Sequence, residues 1–222
     1  MKYWSLMLCA LFAAGAQAQG VAVGVKAGST GLGVEGYYQI SSMLNVRAHY
    51  SRYTTTFTQD TGGDNSLEFD MDTDLGMGAL MLDFYPFSGS FHLSAGYASN
   101  NTGFSGLAKP SGGNYTIDGQ QYSAAQVGDV RGELTFKSSA PYVGLGWGNP
   151  IDDDGGLGFN FELGAILQGA PEASITTSKQ LADPAAQAQL NQHIQQEITS
   201  FEDDTSSFKA WPVVAFGITY SF

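Results

Sequence analysis

The feature that most constrains this chain is a two-residue alternation of side-chain character, which is clearest near the C-terminus. Over residues 208–222 one parity is apolar, whereas the other parity is mostly small or polar. Successive side chains of a β-strand point to opposite faces, so this pattern predicts a strand with one apolar face. The apolar parity consists of Phe208, Ala210, Pro212, Val214, Phe216, Ile218, Tyr220 and Phe222.

Seven further segments alternate in the same way, and short and long connections alternate between them. An even number of strands of about ten residues, with short turns on one side and longer loops on the other, is typical of outer-membrane β-barrels. The sequence therefore predicts an all-β fold, namely an eight-stranded antiparallel transmembrane β-barrel, with a secreted soluble sandwich as the alternative. The seven segments are 21–28, 32–40, 44–57, 67–87, 91–104, 134–148 and 157–168.

The N-terminus has the pattern of a secretory signal peptide. Lys2 supplies a positive charge, residues 6–14 are apolar, and Ala16-Gln17-Ala18 has the small residues of a cleavage site. Because the only cysteine, Cys9, follows Leu8 rather than a small residue, we expect no lipidation. We predict a signal peptide over 1–18, cleavage after Ala18, a barrel domain over 19–222, and localisation in a bacterial outer membrane.

Composition supports this interpretation and excludes other classes of protein. Only 14% of the residues are charged, as expected if one parity must face lipid. Acidic residues outnumber basic ones by 21 to 9, which argues against a nucleic-acid partner. With a single cysteine, a disulfide scaffold and a cysteine-based zinc site are both excluded. The 29 glycines are expected to ease barrel curvature and to leave space in the lumen.

Strand parity places almost every charge of the predicted membrane segments inside the barrel. An eight-stranded barrel is just wide enough for side chains to fill it or to hold one small ligand. Since an unpaired buried charge is costly, we expect the basic and acidic residues to pair. Two interpretations stay open: a structural plug, or a polar path for small solutes. The lumen candidates are Lys26, Glu35, Arg47, Asp83, Tyr142 and Glu162.

Three acidic residues alternate just outside the predicted membrane portion of the fourth strand. Asp70, Asp72 and Asp74 are expected on one face, as an extracellular acidic rim. No glycine or distal glutamate follows at the spacing of an EF-hand loop, so a calcium site of that type is a poor match. Solvated surface charge is the default interpretation. Attraction of cationic solutes, or divalent bridging to lipopolysaccharide, is the alternative.

The long connections contain two local signals. Asp183-Pro184 is typical of a helix start, and Leu190, Ile194, Ile198 and Phe201 follow at near-helical spacing. We predict a short amphipathic helix over about 184–200 in the last extracellular loop, lying across the outer mouth. Asp118-Gly119 predicts a hairpin turn in the preceding long connection.

Several short strings occur in a recognisable order: Thr116 to Tyr122, Val130 to Leu134, Ala140 to Gly146, Gly169-Ala170-Pro171 and Trp211-Pro212-Val213, with Phe69 to Asp72 and Asp83 to Phe87 similar in type. In this order and spacing they resemble the CarO-type outer-membrane proteins, which are associated with ornithine uptake and carbapenem susceptibility. The resemblance runs from about Val25 to Phe222. It implies a small eight-stranded barrel linked to the passage of basic amino acids, but it carries over no ligand set, and the loops differ in length and content.

The function hypotheses differ in what the lumen does. The first is an outer-membrane barrel for small, preferably cationic solutes such as basic amino acids, with a narrow or gated lumen. The alternative is a structural or surface-interaction barrel whose lumen is sealed. Expected partners are outer-membrane lipid, lipopolysaccharide, small cationic solutes, and the barrel-assembly machinery through the C-terminal Phe222.

We expect no enzymatic activity, no cofactor and no metal. The string His92-Leu93-Ser94 has the residue types of a lipid deacylase, but its position near a short turn and its inward parity argue against that activity.

Overall fold

The structure, a computed structural model, describes residues 20–60, 67–110, 113–151 and 154–222. The predicted signal peptide and its cleavage site lie outside the described residues. The chain is almost entirely β. Its strands are β1 (Val21–Gly28), β2 (Gly31–Ser41), β3 (Leu44–Asp60), β4 (Leu67–Phe84), β5 (Phe91–Asn100), β6 (Gly103–Pro110), β7 (Asn114–Ile117), β8 (Gln120–Ser123), β9 (Val130–Thr135), β10 (Ser139–Trp147), β11 (Gly156–Ile166), β12 (Glu172–Thr177) and β13 (Trp211–Ser221).

The large antiparallel sheet closes on itself. From β1 the pairing runs through β2, β3, β4, β5, β10, β11 and β13, and β13 pairs back onto β1 with Val25 opposite Ile218. Each strand of this ring therefore has a neighbour on both sides, so its backbone amides and carbonyls are paired along two edges. The prediction of a large, closed antiparallel sheet agrees with this arrangement.

Two predicted strands are wrong in their boundaries, because each is interrupted. The segment 91–104 divides into β5 and β6, and the segment 134–148 divides into β9 and β10. At the break the Asn100 amide donates to the Ser138 carbonyl, and the Asn101 amide donates to the Gly76 carbonyl. There β4 exchanges one partner for another: its Met77–Phe84 portion pairs with β5, and its Leu67–Asp74 portion pairs with β6.

Beyond this exchange the sheet continues as an extension outside the ring. β6 pairs with β9, and β9 pairs with β12, so that the described extension consists of β6, β9 and β12 beside the N-terminal half of β4. In β4, Met71 and Thr73 have the parity of the inward-facing Met77, Met81 and Asp83. One face of the extension therefore continues the inner face of the ring.

Turn geometry follows local chemistry. Asp118 and Gly119 form the predicted hairpin turn between β7 and β8, with φ values of 48° and 71°. Two successive positive φ values are the signature of a type I′ turn, which Asp-Gly favours. The sequence predicts that short and long connections alternate along the chain. The connection between β1 and β2 departs from this alternation, because it is a turn of two residues and yet lies at the end of the ring that carries the long connections.

Two helices lie in the long connections: α1 (Ala124–Val127) and α2 (Pro184–Thr205). α2 begins where Asp183 predicts, since the Asp183 carboxylate accepts a hydrogen bond from the Ala185 amide, and it ends five residues beyond the predicted end. Leu190 and Ile194 are buried against the β7–β8 hairpin and α1. Among the described residues, no helix is both long enough and apolar enough to span a bilayer.

The two faces of the ring differ sharply in polarity. Outward side chains are large, apolar and exposed: Leu80 is 62% exposed, Phe159 73% and Phe216 66%. Inward positions hold buried polar and charged side chains together with a small apolar cluster around Met81 and Ile166. The assignment of faces by parity is confirmed.

Candidate functional site

Six ring strands each contribute one predicted lumen residue to a single cluster. Lys26 lies on β1, Glu35 on β2, Arg47 on β3, Asp83 on β4, Tyr142 on β10 and Glu162 on β11. All six are buried, and no side chain of the set is more than 6% exposed. The structure thus brings together the entire predicted set of lumen residues, which we call the lumen network.

Arg47 is the centre of the lumen network. Its guanidinium makes two hydrogen bonds to Glu162, of 2.5 Å from Nη1 to Oε2 and 2.9 Å from Nη2 to Oε1. Asp83 is the second partner: Nη2 donates to Oδ1 at 3.0 Å, and Nε lies within ion-pair distance of Oδ2, at 2.9 Å. Nη1 also lies 3.3 Å from Glu35 Oε2. Bidentate arginine–carboxylate pairs are strong and directional, so Arg47 ties three strands together across the lumen.

Lys26 completes the ion pairing from the opposite side. Its Nζ lies 2.5 Å from Glu35 Oε2 and 2.5 Å from Glu162 Oε2. Glu35 and Glu162 therefore each bridge Lys26 and Arg47. The four side chains form one continuous ionic cluster, and they do not divide into separate pairs.

Neutral donors and acceptors surround the ions. The Tyr142 hydroxyl donates to Glu162, and the Ser94 hydroxyl donates to Asp83 at 2.6 Å. Asn160 Nδ2 donates to Glu35 at 3.3 Å and to the Tyr37 hydroxyl at 2.8 Å. These bonds occupy carboxylate lone pairs that burial would otherwise leave without partners.

Ser94 and Asn160 are members of the cluster that the predicted site set omits. Their signal was present in the parity of the strands, since Asn160 is two residues from Glu162 and Ser94 is two residues from His92. At an inward position, an uncharged polar side chain is a weaker sequence signal than a charged one. Both belong to the lumen network by contact.

Inward glycines make room for the larger members. A Cβ added at Gly164 or Gly144 would collide with the Tyr142 side chain, and one added at Gly217 would collide with Asn160. The expected use of glycine as lumen space is confirmed at these positions.

The charge of the lumen network is unbalanced. It contains the carboxylates of Glu35, Asp83 and Glu162, but only the two permanent cations Lys26 and Arg47. A histidine, His49, also approaches the network, with Nδ1 3.7 Å from Glu35 Oε2. A buried site with more carboxylates than fixed cations favours added positive charge, and it opposes anions.

The acidic rim is separate from the lumen network. Asp70, Asp72 and Asp74 share one face, as predicted, but they have the parity of Leu80 and Leu82 and therefore point outward, not towards the mouth. Each accepts a hydrogen bond from the threonine opposite it on β3: Thr58, Thr56 and Thr54 respectively.

Two of the rim carboxylates also have basic partners. Lys109 Nζ lies 2.5 Å from Asp70, and Arg52 lies 2.8 Å from Asp74. The hydrogen bonds from Lys109 and Thr58 hold the pKa of Asp70 below its usual value. This face of the sheet is therefore partly neutralised and solvated.

The string His92-Leu93-Ser94 lies inside the ring. His92 and Ser94 are both buried, and the Ser94 hydroxyl bonds Asp83 while accepting from Arg47 at 3.1 Å. The His92 ring packs 5.1 Å from the Tyr85 ring. Ser94 is thus engaged in the ion network, and its hydroxyl does not face the lipid side of the sheet.

Comparison with known proteins identifies the fold. No protein-family model and no curated protein sequence matches the chain. Two crystal structures share its architecture. Acinetobacter baumannii CarO2 is 19% identical with a TM-score of 0.58, over 92% of this chain and 99% of that chain. Acinetobacter baumannii CarO is 18% identical with a TM-score of 0.55, over 90% of this chain and 97% of that chain. The resemblance predicted from the sequence is thus confirmed in the structure: this chain has the fold of the CarO proteins.

Proposed function

We propose that this chain is an outer-membrane β-barrel protein that admits small cationic solutes, basic amino acids among them, through its lumen. In the resting protein the lumen network closes that lumen. In this proposal residues 1–18 direct export and are removed after Ala18. The C-terminal Phe222 is recognised by the barrel-assembly machinery, and the finished barrel contacts outer-membrane lipid and lipopolysaccharide.

The outer surface supports the membrane location. Large apolar side chains such as Leu80, Tyr97 and Phe159 are exposed around the ring, which would be costly in water and is what a lipid-facing surface requires. The closed pairing of the ring satisfies the backbone, which a bilayer also demands. The shared fold with the CarO structures agrees with both points.

The observation that carries the solute preference is the charge of the lumen network. Three buried carboxylates face two fixed cations, and Glu35 and Glu162 each already bind two cationic groups. The ammonium group of a solute is chemically equivalent to Lys26, so it can take the place of Lys26 or Arg47 on these carboxylates. A solute carboxylate would instead add to the excess of buried negative charge, so the network disfavours an anionic solute.

A sealed barrel without transport is the second candidate, and one observation favours it. Every member of the lumen network is buried, and Arg47 bridges strands on several sides of the ring. If the network never rearranges, the lumen is a structural plug and the protein acts through its lipid-facing surface and its loops.

Uptake by proteoliposomes separates the two candidates. The folded mature chain is reconstituted, and entry of radiolabelled lysine, ornithine and glutamate is compared with entry into empty liposomes. Our proposal predicts that lysine and ornithine enter above the empty-liposome level and that glutamate does not. Equal, background entry of all three would support the sealed barrel.

Glu162→Gln is the matching variant, because glutamine keeps the shape of the side chain and removes one carboxylate from the network. It is expected to slow lysine entry. Glu133→Gln, which alters an exposed carboxylate of the sheet extension, is the control and should leave lysine entry unchanged.

A further inference from the structure

A second site lies outside the ring, between helix α2 and the sheet extension. A cavity of about 480 Å³ is bounded by β3, β4, β6, β9 and β12 below and by the C-terminal half of α2 above. This volume is in the range of small-molecule sites. Its walls are mainly apolar, with Met71, Phe104, Leu134 and Ile175 from the sheet and Ile198 and Phe201 from the helix.

The depth of the cavity comes from two missing side chains. Met71, Gly106, Gly132 and Ile175 face one another in a single row across β4, β6, β9 and β12. The two central positions are glycine, and a Cβ added at either would meet nothing within 4 Å. The bare Gly106–Gly132 pair therefore forms a floor between two large side chains.

Helix α2, which covers the cavity, is held in place over the sheet extension by specific hydrogen bonds. Glu202 accepts a hydrogen bond from the Ala173 amide at 2.9 Å, and Glu197 accepts one from the Asp118 amide at 2.8 Å. The N-terminal half of α2 is packed through Leu190 and Ile194, whereas further along Phe201 is 46% exposed. The helix is fixed at several points, yet large apolar surface remains open over the cavity.

Charge identifies the class of ligand. The charged side chain on the helix side of the cavity is acidic, Glu197, whereas Asp72 and Glu133 border the cavity from strands whose side chains at these positions lie on the other face of the sheet. An apolar cavity bordered by the carboxylate of Glu197 complements a molecule with an apolar body and a positive end. We propose that this cavity binds a small amphipathic cation, with its hydrocarbon or aromatic part over the Gly106–Gly132 floor and its amine towards Glu197.

This inference goes beyond the proposed function, because the cavity shares no residue with the lumen network. Binding here is expected whether or not the lumen passes solutes. Its failure would leave the transport proposal intact, and the reverse also holds.

The test uses three probes of one shape and different charge: 4-phenylbutylamine, 4-phenylbutanol and 4-phenylbutyrate. The full mature chain is placed in phosphatidylcholine nanodiscs, and equilibrium dialysis measures binding above that of empty nanodiscs. We expect saturable binding of one amine per chain, with an affinity about three-fold above that of the alcohol, as for a partly exposed ion pair. The carboxylate should bind weakest.

The decisive variants place a side chain on the Gly106–Gly132 floor. Gly132→Leu places a side chain in the open space and should weaken amine binding about ten-fold or more, because the ligand loses its apolar contacts. Gly106→Leu fills the same space from the neighbouring strand and should act alike. Gly36→Leu, at a ring position with equally open surroundings, is the matched control and should leave binding unchanged.

Glu197→Gln separates charge from shape. Glutamine can still accept the Asp118 hydrogen bond, so the variant should weaken binding of the amine and leave that of the alcohol unchanged. The proposal is overturned by amine uptake no greater than in empty nanodiscs, by unchanged binding in both floor-filling variants, or by carboxylate binding as tight as that of the amine.

Discussion

At the scale of single residues, Arg47 decides the character of the lumen. It is 1% exposed, forms a bidentate pair with Glu162, and also donates hydrogen bonds to Asp83 and Glu35. The alternation of side chains along each strand predicts that Arg47 faces inward, as do the acidic residues of the lumen network, because alternation is read within a single strand. Which acids it meets depends on strand register across the ring, and a sequence pattern does not contain that information.

Removing the Arg47 side chain should be strongly destabilising. Arg47→Ala leaves Glu35, Asp83 and Glu162 buried with only Lys26 to compensate them, which is expected to cost about 3–5 kcal/mol of unfolding free energy. Urea unfolding in detergent micelles measures this. Arg52→Ala removes an exposed arginine that pairs with Asp74 and should leave the free energy of unfolding nearly unchanged. Equal losses in the two variants would show that the buried network contributes nothing special.

Glycine spacing in the lumen supports a second prediction at this scale. Gly164→Ala puts a methyl group against the Tyr142 ring and near the Val143 carbonyl, so we expect a loss of about 1–3 kcal/mol from overpacking. Gly36→Ala meets nothing within 4 Å and should be nearly neutral. The same unfolding assay compares them, and a neutral Gly164→Ala would mean that the space around Tyr142 is not tightly filled.

At the scale of elements, long alternating strands were predictable and short ones were not. The ring strands show period two over eight residues or more, so their faces follow from the sequence. β9 and β12 have only six residues each, and Gly106 and Gly132 interrupt the apolar parity of β6 and β9, so the pattern is lost. The exchange of partners along β4 near Gly76 is a non-local event, because it depends on which strands lie beside β4.

The sheet extension should have its own pH dependence, through Asp70. Because its pKa in the folded chain is lowered by Lys109 and Thr58, the ionised form contributes stability above the pKa of the unfolded chain. That contribution is lost as the pH falls through the lower folded-state pKa, hence in the acid range below about pH 4. Hydrogen exchange of β6 amides as a function of pH measures it.

Asp70→Asn is the variant for this test, since it keeps the side-chain shape and removes the charge. It should flatten the acid dependence of β6 exchange, with no change in the ring strands. An acid dependence identical to that of the unaltered chain would assign the effect to other groups.

At the scale of the whole molecule, three properties combine: a closed ring, an apolar exterior and a lumen crossed by an ionic cluster. The first two suit a bilayer, and they follow from alternation of side chains along the chain. The third sets what the lumen can do. The overall charge of −12 adds a general attraction for cations, although the outward direction of Asp70, Asp72 and Asp74 means that this attraction is not focused on the mouth by the rim.

In the proposed function, the lumen network, held together by Arg47, closes a lumen that would otherwise pass cations. The direct measurement is ion conductance across planar bilayers containing the unaltered chain, Arg47→Ala or Arg52→Ala, with a salt gradient to read selectivity. We predict little steady conductance for the unaltered chain and Arg52→Ala, and a cation-selective conductance for Arg47→Ala, provided that the variant migrates as a folded barrel. A folded Arg47→Ala barrel that conducts no more than the unaltered chain would contradict the claim.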